Sequence, residues 1–359
     1  MPLKFTPRYF LTPSIVEALL RIERVKERVM VLPWNRKLLG QLRETARLYT
    51  THYSTWIEGN RLSPDEVYEV IEKGRHIPAK ARDEHEVRGY FKALSQVEHW
   101  VARHDPVTEK KIQSLHAWVL SNGRDKIRPT PYRDGQNVIR DALSRRIVYL
   151  PPEAKDVPML MAGLVAWLKL SDNLPPPVVA AIAHYQFATI HPYYDGNGRT
   201  ARLLTTWLLH RGGYDLKGLY SLEEYYATNL SAYYAAIAVG PSHNYYLGRA
   251  EADITGWIEY FCEGMAIACE NVLRRMEEAK ALGAEDESPL LRQLSPQQRK
   301  ALALFEQHEW ITARDIRELF GFQPRSASAL CQRWVEEGFL EIVDPSKKSR
   351  KYRLGRKFH

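Results

Sequence analysis

The sequence predicts a mainly α protein in three parts: an N-terminal helical region, a helical core, and a small α+β unit at the C-terminal end. Three observations carry that reading. Apolar residues recur at helical spacing through most of residues 1–280. β-rich stretches are confined to a segment around residues 138–150 and to the last part of the chain. An acidic, polar break, Gly283-Ala284-Glu285-Asp286-Glu287-Ser288-Pro289, separates the core from the C-terminal unit. The boundaries expected are 1–100 for the N-terminal region, 101–280 for the core, 281–291 for a linker and 292–359 for the last unit.

In order along the chain, residues 14–29 and 36–56 read as amphipathic helices, and 66–73 and 83–101 look similar. Helices also dominate 108–120, 158–170 and 254–276. The run 176–190 places Tyr185, Phe187 and Ile190 at helical spacing and should stop at His191-Pro192, because a residue before proline is pushed out of the α region. Asp195-Gly196-Asn197-Gly198 reads as a turn with unusual dihedrals. A further helix is expected from Gly198 or Arg199, carrying Leu203, Leu204, Trp207 and Leu208 inward. Two β-rich stretches flanking Asp141-Ala142-Leu143-Ser144 form a hairpin.

Beyond the break, Ser295-Pro296 supplies an N-cap and a proline at the first helical position, and the helix carries Leu302 and Phe305. Thr312 and Asp315 open a short helix with Ile316 and Leu319. Residues 325–337 form a third helix with Leu330 and Trp334 inward. Strands are expected at 339–343 and 351–354, joined by a basic turn.

The composition is that of an ordinary water-soluble protein, 45 % hydrophobic and 26 % charged over 359 residues. No apolar run approaches the ~18–20 residues of a membrane span, and residues 1–8 lack a signal-peptide core, so a cytoplasmic protein without a membrane partner is expected. Cys262, Cys269 and Cys331 are too few and wrongly spaced for a zinc site and should be buried. Of the net charge of +8, seven units lie in residues 345–359: Lys347, Lys348, Arg350, Lys351, Arg353, Arg356 and Lys357, with no acid among them.

The chemistry concentrates in His191-Pro192-Tyr193-Tyr194-Asp195-Gly196-Asn197-Gly198-Arg199-Thr200-Ala201-Arg202. The loop ends on a helix N-terminus, where free N–H groups and the positive end of the macrodipole attract phosphate. Arg199 and Arg202, three apart, share one face and can hold successive phosphates. An imidazole titrates near neutrality and can take a hydroxyl proton. Asp195 is a candidate metal ligand.

This segment resembles the signature of the Fic family: His-Pro-Phe, any residue, Asp or Glu, Gly-Asn-Gly-Arg, two residues, Arg, with Tyr193 here in place of Phe. The resemblance implies a Fic-type helical core and transfer of AMP from ATP to a hydroxyl side chain of a target protein, or of the chain itself. His191 would be the general base and Asp195 would hold Mg²⁺. Gly196, Asn197, Gly198 and Thr200 would form the phosphate cradle, with Arg199 on the β-phosphate and Arg202 reaching the γ-phosphate. Relatives with Lys at the position of Gly198 bind the nucleotide reversed, so glycine argues for AMP transfer.

Upstream, Ser54-Thr55-Trp56-Ile57-Glu58-Gly59 resembles the family's inhibitory signature in its second class, where it precedes the core. Ser54 and Glu58 lie one helical turn apart, with Gly59-Asn60 as a C-terminal stop. The resemblance implies that Glu58 pairs with Arg202 and takes the room of the γ-phosphate. The hairpin beginning Asn137-Val138-Ile139-Arg140 resembles the family's flap, which registers a target peptide by main-chain pairing. An ordinary surface hairpin remains the alternative. Tyr233, Tyr234 and Trp257 resemble the aromatic residues near the ribose and adenine, and an aromatic pair at this spacing equally suits a core.

The last unit resembles a winged-helix module, whose third helix enters the major groove of DNA while the wing meets phosphate. A packing or dimerisation domain is the alternative, and a homodimer is compatible with it. Three function classes are open: an adenylyltransferase restrained by Glu58, an enzyme in which Glu58 positions water to remove AMP from protein, and a DNA-binding regulator with a nucleotide-sensing core.

Overall fold

Helices Pro13–Val31 (α1), Arg36–Trp56 (α2), Pro64–Glu72 (α3), Ala81–Ala102 (α4) and Glu109–Val119 (α5) lead, in the computed structural model, to a two-stranded hairpin, Ile139–Arg140 (β1) and Ile147–Tyr149 (β2). Val157–Leu168 (α6), Pro176–Ile190 (α7), Asn197–Arg211 (α8), Leu222–Thr228 (α9), Leu230–Ile237 (α10) and Thr255–Ala281 (α11) come next. The structure describes residues 5–31, 36–140, 146–240, 242–281, 294–306, 308–344, 346, 350–355 and 358. The break at 283–289, the hairpin tip at 141–144 and Lys347, Lys348, Arg356 and Lys357 lie outside the described residues. Two units divide the chain, Met1–Val31 with Arg43–Met276, and Leu32–Leu42 with Glu277–His359.

In the first unit α7 is the axis. Val178, Ala180, Ala181, Ile182, Ala183, Phe187 and Ile190 are all fully buried, as expected of a helix apolar on every side. α8 packs along it, and α4, α5 and α6 complete the surround. The small Ala180, Ala181 and Ala183 allow close approach. Trp207 of α8 lies against Trp100 of α4, ring centroids 4.7 Å apart. α1 is fastened to α11 by Arg21, which reaches Glu263 at 2.7 Å and Glu270 at 2.9 Å. α2 is fastened to α4 by Arg47, on Glu98 at 3.1 Å and Ser95 at 2.7 Å. α3 starts on a capping box, Ser63 with Glu66.

α9 and α10 are separate helices because Asn229 leaves the helical region (φ −144°, ψ 76°) and its side chain caps α10 through Ala232 N–H. Asn supplies the break and the cap together.

The second unit holds Pro296–Leu302 (α12), Ile311–Thr312 (β3), Ala313–Phe320 (α13), Pro324–Glu336 (α14), Leu340–Asp344 (β4) and Lys351–Leu354 (β5). Its core gathers Ile316, Leu330, Trp334, Phe339, Tyr352 and Leu354. The sheet has three strands in the order β3-β5-β4, one more than expected. β3 is two residues long and runs directly into the Thr312 capping box of α13, too short to leave an alternating pattern. Phe305 falls in a 3₁₀ turn, Ala303–Glu306, beyond the end of α12. Among the described residues no helix is long and apolar enough to cross a membrane, and the three cysteines are buried and free.

Candidate active site

The loop from α7 to α8 is short and heavily braced. His191 ends α7 in the left-handed region (φ 51°, ψ 60°), with its N–H on Phe187 O. A non-glycine residue there costs about 1–3 kcal/mol and persists only where its surroundings hold it. Arg133 does so: it is buried, and its Nε donates to His191 O at 3.0 Å, its Nη1 to Gly135 O at 3.0 Å and its Nη2 to Pro152 O. Arg133 N–H also donates to Pro192 O at 2.9 Å. From inside, Asn197 closes the loop on itself, accepting from Tyr193 N–H at 3.0 Å and donating to Tyr193 O at 2.7 Å. His116 of α5 donates from Nε2 to Asp195 O at 2.8 Å and stacks on Tyr193 at 3.6 Å between ring centroids.

The reactive groups face outward from this scaffold. His191 is half-buried, and its Nδ1 lies 3.3 Å from Ala188 O. A carbonyl only accepts, so Nδ1 carries the proton and Nε2 keeps its lone pair. Burial holds the imidazole down at about 4, leaving it neutral at pH 7. The Asp195 carboxylate is exposed, accepts from Gly196 N–H at 2.6 Å and lies 3.3 Å from Arg199 Nη2. Gly196 (φ 74°) begins α8, whose first N–H groups have no intrahelical acceptor.

Arg202 and Glu58 meet across 144 positions. Arg202 is 1 % exposed and donates from Nε to Ser54 Oγ at 2.8 Å, and from Nη2 to Ser54 O at 2.8 Å and Glu58 Oε1 at 2.9 Å. Burial lowers the guanidinium's pKa, and the Glu58 carboxylate together with Tyr233 and Tyr90 more than offsets it, leaving it raised. The same carboxylate lies over the first turn of α8: a Cβ added to Gly198 would fall 2.1 Å from Glu58 Oε1 and 3.2 Å from Arg202 Nη1. Glycine at 198 is therefore what lets Glu58 close on the helix N-terminus. α2 itself ends at Trp56, and Glu58 sits in a tightened last turn, with Glu58 N–H on Thr55 O and Asn60 N–H on Thr55 O.

Other expected site residues take structural places. Thr200 is fully buried and its hydroxyl donates to Gly196 O at 2.8 Å, so it braces the turn instead of facing a phosphate. Trp257 has no exposed surface and donates from Nε1 to Ala181 O at 2.8 Å, which makes it core and not an adenine contact. Tyr233 is also buried, its hydroxyl 3.0 Å from His184 Nε2 and its ring stacked on Tyr226. A stripe of aromatics at helical spacing reads alike in sequence whether it lines a core or a ligand. Tyr234 is half exposed, its hydroxyl 3.4 Å from Ile57 O beside the Glu58 turn.

The hairpin lies against the loop. Asn137 Nδ2 donates to Tyr193 O at 3.2 Å, and Asn137 Oδ1 accepts from Val138 N–H at 2.8 Å. Ile139 pairs with Tyr149 and Arg140 with Ile147. Tyr149 anchors β2 through its hydroxyl on Thr189 O at 2.7 Å. The segment after α10 joins in, with Leu150 N–H on His243 O and Tyr245 N–H on Leu150 O.

Residues 106–209 match the profile of the Fic/DOC family. It is 32 % identical over 179 residues to Protein adenylyltransferase Fic of Drosophila melanogaster and 33 % identical to that of Drosophila mojavensis, in each case across 49 % of this chain. The chain spans only about a third of the length of those curated relatives, 35 % and 34 %. Among solved structures, a Fic family protein from Desulfovibrio desulfuricans G20 aligns with a TM-score of 0.64 at 26 % identity, covering 98 % of this chain and 99 % of that one. Fic-1 from C. elegans aligns with a TM-score of 0.58 at 25 % identity, covering 74 % and 73 %.

Proposed function

We propose that the chain is a protein adenylyltransferase that moves AMP from ATP to a serine, threonine or tyrosine hydroxyl of a target protein, itself included, and that Glu58 restrains it. The observation that carries this reading is the Glu58 carboxylate on Arg202 at 2.9 Å, over Gly198, at the helix N-terminus beside a neutral His191. His191 Nε2 takes the proton of the target hydroxyl as its oxygen bonds to the α-phosphorus. The bond to the β-phosphate bridging oxygen breaks, and pyrophosphate leaves. Arg199, Arg202 and the first N–H groups of α8 stabilise the phosphate charge. The curated relatives' name supports the same reaction.

One exposed carboxylate beside a helix N-terminus fits Mg²⁺ brought in on nucleotide phosphates, and among the described residues no cluster of three His, Cys, Asp or Glu side chains forms a cage. Asp195 would hold the ion, which when bound neutralises phosphate charge. The β1 backbone at Val138, Ile139 and Arg140 would register the target peptide. α-Labelled ATP with Mg²⁺ and a lysate tests the proposal. Glu58→Gly should label itself and other proteins well above wild type. The proposal fails if that variant binds ATP and labels nothing.

The Glu58 carboxylate acts electrostatically on His191, which also favours a second reading, in which Glu58 orients water to release AMP from modified protein. In that case Glu58→Gly abolishes release of label from pre-labelled protein.

For the second unit we propose a winged-helix DNA-binding role. Arg325, Gln332 and Arg333 are exposed on α14, with no acid before Glu336. On the hairpin, Arg353 pairs with Glu341 at 3.0 Å and Lys351 lies over the Trp310 ring at 3.5 Å, so these two charges are partly spent. DNA affinity should fall steeply with salt. Absence of a gel shift even at low salt favours a packing domain.

A further inference from the structure

We infer that His116 is a positioning residue for nucleotide binding, setting the direction of the peptide unit that opens the phosphate cradle; this rests on the transfer reading above. The peptide between Asp195 and Gly196 leads into Gly196, the N-cap of α8. In a trans peptide the C=O and N–H point opposite ways, and among the described residues no cis bond occurs. His116 Nε2 lies 2.8 Å from Asp195 O, so the carbonyl is pinned inward. The Gly196 N–H of the same unit therefore faces outward, where it donates to Asp195 Oδ1 at 2.6 Å at the mouth of the helix N-terminus.

Something must choose this direction, because glycine makes the alternative cheap. Gly196 sits at φ 74°, where a residue without Cβ tolerates either orientation of the preceding peptide. In the flipped orientation a carbonyl oxygen would face the anion, and an attractive dipole would become a repulsive one. His116 decides between them. Its ring is buried, stacked on Tyr193 at 13° between ring planes, and among the described residues its Nδ1 has no hydrogen-bond partner and its one polar contact is to Asp195 O. A carbonyl only accepts, so the ring carries a proton on Nε2 and donates through it. Approach from this side is close: a Cβ on Gly196 would lie 3.3 Å from His116 Nε2.

The test uses the full chain carrying Glu58→Gly as parent, and compares His116→Phe, which keeps the stack without the donor, with His116→Gln, which keeps a donor of similar reach. Two quantities are read: calorimetric affinity for the Mg²⁺ complex of non-cleavable α,β-methylene ATP, and hydrogen exchange of the Gly196 amide in nucleotide-free protein. His116→Phe should bind about tenfold more weakly and exchange faster, by about the worth of one hydrogen bond. His116→Gln should recover most of both. If the phenylalanine variant does not fold, His116→Asn, whose amide stops a bond short, replaces it. Equal affinity and exchange in parent and donor-less variant, or equal losses with glutamine, overturn the inference. A parent that binds no nucleotide defeats the transfer reading alone, and the exchange arm still decides whether His116 sets the peptide.

Discussion

Gly198→Ala offers a way to dislodge Glu58 without removing it. A Cβ at 198 would stand 2.1 Å from Glu58 Oε1, and the carboxylate must retreat by about 1 Å or more to reach an ordinary contact, breaking its 2.9 Å bond to Arg202. The obstructing atom is the end of a flexible side chain, so the cost is limited to the lost pairing. A charge-assisted hydrogen bond to a buried guanidinium is worth about 1.5–3 kcal/mol, reduced to about 1–2 because the Glu58 side chain is 29 % exposed. Against this, alanine in a helix gains up to about 1 kcal/mol over glycine. The single substitution should therefore destabilise by about 0–2 kcal/mol. In a Glu58→Gly background the collision is gone and only the gain remains, so the same change should stabilise by up to about 1 kcal/mol. The coupling between the two sites, about 1–2 kcal/mol, is measured by urea unfolding of the four proteins of a double-mutant cycle. Additivity within about 0.5 kcal/mol would show that Glu58 does not close on α8 in solution. No nucleotide or activity enters the assay, so its result is independent of the transfer reading.

Three further outcomes are expected. His191→Ala in the Glu58→Gly background should lose about 10²–10⁴ in transfer rate while nucleotide affinity is retained, and label transfer at the parent rate would refute the base assignment. Because His191 is held at about 4, the acid limb of kcat/KM should fall well below pH 6, and a limb centred near 6.5 would contradict the buried neutral imidazole. His116, His184 and His191 are all depressed by burial, to about 4, 3 and 4, so the unfolded chain binds the extra protons between those values and about 6.5; unfolding free energy should be full above pH 6.5 and decline as pH falls towards 4, and a pH-independent denaturation midpoint across that window would be inconsistent with it.

The loop 191–202 was legible because its constraints are local: a pre-proline stop, two glycines and arginines three apart dictate a turn feeding a helix N-terminus whatever surrounds it. Glu58 was legible only through resemblance, since Ser-x-x-x-Glu on a helix carries no physical signal of what it will meet 144 positions later. His116 and Arg133 were not legible as site residues. Both act on main-chain carbonyls of the loop, and a carbonyl acceptor leaves no trace in its own residue's identity. His116 reads as one more inward residue of an amphipathic helix, with Ile112 and Leu115 beside it. Trp257 failed the opposite way: the residue type was suggestive and the burial was not foreseeable.

That blindness to identity has a use at Arg133. Its guanidinium ties together the ends of three segments, at Gly135, Pro152 and His191, entirely through backbone oxygens. A clasp of this kind demands a flat fork of five donors and accepts nothing else from its partners, so lysine cannot replace it while the residues it holds are free to change. The hairpin is thus mechanically joined to the loop through its backbone, and apart from Asn137 and Tyr149, whose side chains bond Tyr193 and Thr189, its described side chains can drift with whatever they face without shifting His191.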